Sequence, residues 1–260
     1  MKNIYFFDID GTLIDAKIGL ASPTQATIEA LNELKNEGHQ IFIATGRSLA
    51  FVPSEIKALP FDGFITCNGA SILIHDKEYE TARISSQEIE KLICFSKNHQ
   101  TILYLEEGEV VYTNDLFSKK QKAFLKRWAM DEEVVVDLPQ QQECDIKMAM
   151  MRFDNEQQYA SFQSLFQDSF AIMRHGDDLS CDICLKNFSK GSAIRKVLKH
   201  GHIPKENSFA FGDGYNDFEM FESVGTAIAM GNAVPELKEK ATIITTSVEN
   251  EGIAHYLKRQ

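Results

Sequence analysis

At 260 residues the chain is long enough to bury a large core and falls between one and two domains. Its 43% hydrophobic and 25% charged residues are ordinary globular composition and exclude a disordered chain. A formal net charge of −11 argues against nonspecific binding to nucleic acid or an anionic membrane, so an anionic ligand must be drawn in by local groups.

The first apolar run, Ile4 to Phe7, is too short for a helix and predicts a strand buried on both faces. It is also too short for a signal peptide, and no run approaches the ~20 residues a membrane helix needs. A soluble, cytoplasmic protein is therefore expected. Asp8 and Asp10 stand where the strand ends. Ionised carboxylates placed there need a cation or must share a proton. Gly11 and Thr12 turn the chain beside them, so an oxygen-rich site seeking Mg²⁺ is expected. A calcium loop would need a further ligand before the glycine and a helix in front, which this stretch lacks.

Ser22-Pro23-Thr24-Gln25 predicts a helix start with Ser22 as N-cap, Pro23 in the first turn and Gln25 in the capping-box position. Ile28, Leu31 and Leu34 form its apolar face, and Gly38 ends it. Gln40 to Ala44 is a second buried strand running into Thr45-Gly46-Arg47. A helix from about Ser48 and a strand over Gly63 to Thr66 follow, before the turn signal Asn68-Gly69. This alternation is the grammar of a parallel α/β sheet.

Between about Ala82 and Lys186 the pattern becomes α+β. Gln87 to Asn98 and the surroundings of Phe124, Leu125 and Trp128 read as helices, as does Tyr159 to Phe166. TILYLE, EVVYTN, MAMMRF, FAIMRH and SCDICLK read as strands. The five cysteines, Cys67, Cys94, Cys144, Cys181 and Cys184, are scattered. Their one CxxC, at Cys181 and Cys184, lies within a strand-like run without a second pair to complete a zinc site, so reduced thiols are expected. Parallel grammar resumes at Ser189, with a helix from Lys190 to near Gly201 and strands at Ser208 to Phe211, Thr226 to Met230 and Thr242 to Thr245. The predicted fold is α/β, a Rossmann-like parallel-sheet core (1–82 and 187–260) carrying an inserted α+β domain (83–186).

Asp8/Asp10, Thr45-Gly46, Lys190 and Asp213/Asn216/Asp217 all stand at or beside the carboxyl ends of predicted core strands, where ligands bind in open α/β sheets. The set can hold a hard cation through carboxylates and phosphate oxygens through a lysine, a hydroxyl, an amide and backbone N–H groups. Asp8 to Thr12 (DIDGT), Ala44 to Arg47 (ATGR), Lys190 (SKG) and Gly212 to Asp217 (GDGYND), in that order, resemble the motifs of the haloacid dehalogenase superfamily. Asn68-Gly69 and the position of the insertion resemble its Cof-like phosphatases, which carry a large α+β cap.

The resemblance implies a Mg²⁺-dependent phosphatase of small phosphomonoesters such as a sugar phosphate, nucleotide or cofactor phosphate. Asp8 would be the nucleophile that forms an aspartyl phosphate, and Asp10 the general acid and base. Asp8, Asp213 and Asp217 would serve the metal with Asp10, the last through its backbone carbonyl. Ile9, Thr45, Gly46, Lys190 and Asn216 would contact phosphate. A phosphomutase with the same intermediate and a non-enzymatic phospho-acceptor module are the alternatives. Arg47 remains open between a surface charge, a salt-bridge partner for Asp217 or Asp15, and a role in the site. No cap residue transfers by motif; Arg174, His175 and Asp178, in a polar stretch after a strand, are the candidates for choosing the leaving group. The expected partner is a phosphorylated small molecule, with no nucleic acid and no membrane.

Overall fold

The computed structural model describes residues 2–116, 118–138, 145–176 and 179–258. The chain opens with β1 (Ile4–Phe7), α1 (Gln25–Asn36), β2 (Gln40–Ala44), α2 (Ser54–Lys57), β3 (Gly63–Thr66), β4 (Ser71–Ile74) and β5 (Lys77–Thr81). The middle contributes α3 (Ser86–His99), β6 (Ile102–Glu106), β7 (Val111–Thr113), α4 (Lys119–Arg127), β8 (Val135–Asp137), β9 (Met148–Arg152), α5 (Glu156–Phe166), β10 (Phe170–Arg174) and β11 (Ser180–Leu185). The last part holds α6 (Lys190–His200), β12 (Ser208–Gly212), α7 (Phe218–Ser223), β13 (Thr226–Ala229), α8 (Pro235–Lys240), β14 (Ile243–Ile244) and α9 (Gly252–Leu257).

Two sheets result. The larger has the order β14-β13-β12-β1-β2-β3-β4-β5 and draws on both ends of the chain; the smaller, β10-β11-β9-β6-β7-β8, draws on the middle. From β14 to β3 the large sheet is parallel. Its central strand explains the unbroken apolar run of Ile4 to Phe7, because successive side chains face opposite sides and both sides are covered. Ile4 and Phe6 join a cluster with Ile194, Val197 and Met220 of α6 and α7, while Tyr5 and Phe7 join Leu31, Leu34, Ile253 and Tyr256 of α1 and α9.

Several local expectations shift. The cap of α1 is Thr24, whose side chain accepts from the Thr27 amide, so the helix starts two residues beyond the Ser22 cap expected from sequence. The expected helix after Ser48 is broken into a 3₁₀ turn, Leu49–Phe51, and the four-residue α2, with Pro53 between them where it cannot donate to a continuing helix. The antiparallel hairpin β4–β5 and the short β8 escaped the sequence reading: β5 is largely exposed and rich in charge, and β8 has only three residues. The CxxC lies in β11, where positions three apart point to opposite faces, and Cys181 and Cys184 accordingly belong to different clusters. Both are buried and free; Cys144 lies outside the described residues. Among the described residues no helix is long and apolar enough to cross a membrane.

The small sheet is covered on one face by α3 and α5, through Leu92, Phe95, Phe162 and Phe166. Its other face packs against the large-sheet part of the chain, where Tyr104, Phe124 and Met150 meet Ala50 and Phe51, and Met148 and Cys184 meet Cys67 and Ala70. This second face is what closes over the carboxyl edge of the large sheet.

Phe6 has no exposed surface and sits in the central strand. Phe6→Ala should lower unfolding free energy by about 3–5 kcal/mol, read from urea denaturation, because neighbouring strands cannot collapse into the cavity.

Candidate active site

β2, β1 and β12 are neighbours in register, with Phe7 opposite both Ile43 and Phe211, so the residues that follow them emerge at one edge. The Asp8 amide continues the ladder to the Phe211 carbonyl (3.0 Å), and the residue is only 5% exposed. The chain then folds back on itself. The Ile9 carbonyl accepts from the amides of Thr12, Leu13 and Ile14, while the Ile9 side chain anchors the loop in the core. Gly11 adopts φ +77°, and a Cβ there would stand 2.0 Å from Asp213 Oδ2. The Thr12 hydroxyl donates to Asp213 Oδ1 at 3.0 Å. The glycine therefore lets the first acidic loop lie directly against the last one.

Lys190 begins α6, behind the Ser189 cap, and its ammonium is completely buried between Asp8 Oδ1 (2.8 Å) and Asp217 Oδ1 (2.7 Å). Burial works against its charge, but Asp217 and Asp8 outweigh burial and raise its pKa. Asp217 is engaged on both oxygens: the other accepts from the amides of Asp213 (2.9 Å) and Gly214 (3.0 Å). It thus shapes the loop and holds the lysine. Burial pushes the Asp8 carboxyl above the usual carboxylate range; Lys190 works downward, and the charges of Asp217 and Asp10 add to the rise. Asp213 is raised well above the usual carboxylate range by burial, then by Asp8 and Asp217.

Oxygens of Asp8, Asp213 and Asp217 lie within 4.8 Å of one another. Three buried or half-buried carboxylates against one ammonium leave net negative charge, and the donors are all oxygen, which suits a hard cation such as Mg²⁺. The residues present therefore fit a metal. The Asp10 carboxylate stands outside this cluster because Arg47 holds it; the carbonyl of Asp10 is the donor that the sequence resemblance implied.

Arg47 is the resolved ambiguity. Its partner is Asp10, not Asp15 or Asp217: Nη2 donates to Oδ1 (2.7 Å) and Nε to Oδ2 (2.8 Å). Its remaining donors reach the Phe51 carbonyl (2.8 Å) and, across from the middle of the chain, the Trp128 carbonyl (2.8 Å). Desolvation works upward on Asp10, yet the Arg47 charge and hydrogen bonds hold its carboxyl below its ordinary value.

Thr45 is buried, and its hydroxyl oxygen accepts from the Arg47 amide at 3.1 Å, leaving the hydroxyl hydrogen for another acceptor. Thr45, Gly46 and Asn216 line a cavity above Asp8. The Asn216 amide donates to Asn68 Oδ1 (3.2 Å), and Asn68 Nδ2 faces Asp182 Oδ2 at 3.4 Å and Cys184 Sγ at 3.6 Å. Asn68 thus orients Asn216 from behind; its part in the site was not assigned from sequence beyond the turn it makes, at φ 51°.

The cavity above Asp8 has a volume of about 230 Å³ and extends from the acidic loops to the inward face of the small sheet. His175 reaches it, with Nδ1 2.9 Å from Ser180 Oγ and Nε2 2.9 Å from Asp182. Arg174 does not, contrary to expectation. It pairs with Cys181 in the ladder, on the helix-covered face, and its guanidinium is taken by Glu156 (2.5 and 2.9 Å) and packs over Tyr159. Asp178 lies outside the described residues. Glu106, Trp128 and Asp182 line the cavity and were missed. For the two acids a partial signal exists, since an acid within or at the end of an otherwise apolar strand, TILYLE and SCDICL, implies that its face meets something polar without saying what; Trp128 carries no such signal.

Gly11→Ala should displace Asp213 and weaken Mg²⁺ binding by about 10-fold or more, measured by calorimetric titration. Gly108→Ala is the control and should leave the affinity unchanged, since a Cβ there meets nothing within 4 Å.

A family model for haloacid dehalogenase-like hydrolases matches residues 5–257. The chain is 31% identical to the putative phosphatase YkrA of Bacillus subtilis, over 99% of this chain and 97% of the relative. It is 27% identical to the pyridoxal phosphate phosphatase YbhA of Escherichia coli, over 96% and 95%. The crystal structure of a hypothetical protein from Geobacillus kaustophilus superposes with a TM-score of 0.86 at 30% identity, covering 100% of this chain and 98% of that one. The motifs at one sheet edge and these likenesses agree: the chain belongs to the haloacid dehalogenase-like hydrolases, as a Cof-like phosphatase and so a phosphoric monoester hydrolase.

Proposed function

We propose that this enzyme hydrolyses small phosphomonoesters through an aspartyl phosphate on Asp8, with Mg²⁺ as cofactor and residues 83–186 acting as a cap. The observation that carries this reading is Asp8 itself, buried at the floor of the cavity with one oxygen fixed by Lys190. Fixing Oδ1 leaves Oδ2 as the attacking atom. It forms a bond to phosphorus as the ester P–O bond breaks, and the departing oxygen takes a proton from Asp10. Water then gives a proton back to Asp10 and attacks phosphorus, releasing phosphate and restoring Asp8.

Asp10 must therefore alternate. Clamped by Arg47 it is held ionised, as the second step requires, whereas a phosphoryl dianion beside it works upward on the same carboxyl, as the first step requires. Lys190, the Thr45 hydroxyl, the Asn216 amide and the backbone at Ile9 and Gly46 would hold the phosphoryl oxygens. A bound Mg²⁺, held by Asp8, Asp213 and the Asp10 carbonyl with Asp217 in support, would neutralise charge between nucleophile and phosphate. Mg²⁺ dependence fits the uncompensated carboxylates described above. The E. coli relative's name supports a small phosphorylated substrate.

A phosphate-release screen over phosphomonoesters tests the reading. Asp8→Asn should lower turnover by about 10³-fold or more with the fold retained by circular dichroism. Exhaustive chelation should abolish release, and added Mg²⁺ should restore it. Substantial turnover by Asp8→Asn would contradict the covalent route, and undiminished activity after chelation would contradict the metal.

A further inference from the structure

The roof of the cavity holds a group that the chemistry on its floor does not use. Glu106 ends β6 and is 1% exposed, and among the described residues its Oε2 accepts no hydrogen bond. Burial pushes its carboxyl up to about 8; hydrogen bonding from Ser48, on the large-sheet side, works downward on it and the charge of Asp182 adds to the rise. A buried carboxyl oxygen left unmatched is a cost that folded proteins rarely carry unless a ligand, water or ion completes it.

Its surroundings say what would complete it. In the ladder Glu106 pairs with Met148, and Met150 pairs with Asp182, so the two-residue period brings both acids and both methionines to the face that looks into the cavity. Trp128 and Phe124 form the adjoining wall. Aromatic rings and thioethers make a surface that accepts a flat, apolar frame. Asp182 is held in place by His175 Nε2 at 2.9 Å, with the Asn68 amide at 3.4 Å. Among the described residues lining the cavity the single arginine, Arg47, is already engaged by Asp10, and no lysine joins the roof. A second anionic group at that end would hold Glu106 in its uncharged form and find no free cation among the described lining residues, whereas a neutral or cationic donor would draw Glu106 into its charged, accepting form.

Resting on the hydrolase reading above, we propose that Glu106, with Asp182 beside it, selects the leaving group. The preferred substrate is a phosphomonoester whose alcohol carries a hydrogen-bond donor, neutral or cationic, on a flat apolar frame, and a second anionic group is rejected. Glu106 acts as a specificity determinant and takes no part in bond making.

The test uses the full-length enzyme with Mg²⁺ and two probes of matched size, para-aminomethylphenyl phosphate and para-carboxyphenyl phosphate. Wild type should favour the aminomethyl compound in kcat/KM. Glu106→Gln, nearly isosteric, should shrink the ratio of the two constants by about 10-fold or more, because a site built around a buried hydrogen bond discriminates strongly. Comparing ratios cancels the different acidities of the two phenols. A loss equal for both probes would make Glu106 structural and overturn the proposal, as would a wild-type preference for the carboxylate. Should the variant fail to fold, the wild-type preference still decides. Phosphate release from neither probe nor any other phosphomonoester would instead overturn the hydrolase reading on which the proposal stands.

Discussion

The ammonium of Lys190 is the interaction on which the rest of the site depends. It has no exposed surface and its nearest acids come from opposite ends of the chain, Asp8 after the first strand and Asp217 some 200 residues later by the numbering. An unpaired ammonium at that depth would be untenable, and so would the two carboxylates without it. Keeping this one charge satisfied requires β1 and β12 to be neighbours and α6 to begin where it does. Asp217 extends the constraint by accepting the amides of Asp213 and Gly214, so the loop that carries the candidate metal ligand is shaped by the same carboxylate that holds the lysine. Even so, negative charge remains in excess, and the fold leaves that excess beside Asp8, where a divalent cation would offset it.

Arg47 is the counterpart at the junction between the floor and the roof. Its planar fork takes both oxygens of Asp10, and its other donors take carbonyls on either side of the junction between the two sheets, Phe51 and Trp128. A lysine could not satisfy this geometry, having a single donor centre. Further links cross the same junction, from the Ala50 amide to the Gly108 carbonyl and from Asn68 to Asp182. The state of Asp10 is thereby tied to the position of the loop bearing Trp128, so enclosure of the cavity and readiness of the proposed proton-transfer group are physically connected.

The large sheet was legible because its strands are buried on both faces and end in polar residues that cannot be buried without purpose. Ile4 to Phe7 and Gln40 to Ala44 show both features, and the clusters that follow them do converge. Where two signals overlapped, the reading slipped by a few residues: Ser22 and Thr24 are both competent caps, and it is the Thr24 hydroxyl that meets the Thr27 amide. The hairpin of β4 and β5 was obscured because an exposed edge strand such as KEYET imposes little apolar pattern. The roof was least legible. Arg174 and His175 are adjacent in sequence, yet the pleat sends the first to the helix-covered face and leaves the second at the cavity, and no periodic signal fixes that register without the partner strand. Glu106 looked like the end of a strand before a turn, and only the fold shows that what lies opposite is the site.

The central claim is that Asp8 carries the phosphoryl group during turnover. Mixing the enzyme with Mg²⁺ and a rapidly hydrolysed phosphomonoester, quenching in acid within the first turnover and mapping peptides by mass spectrometry measures this directly. The expected result is one phosphoryl mass on the peptide containing Asp8, absent from Asp8→Asn and longer-lived in Asp10→Asn, which lacks the base for its hydrolysis. Phosphate released in that first turnover with no adduct in either wild type or Asp10→Asn, or with the adduct on a different residue, would contradict it.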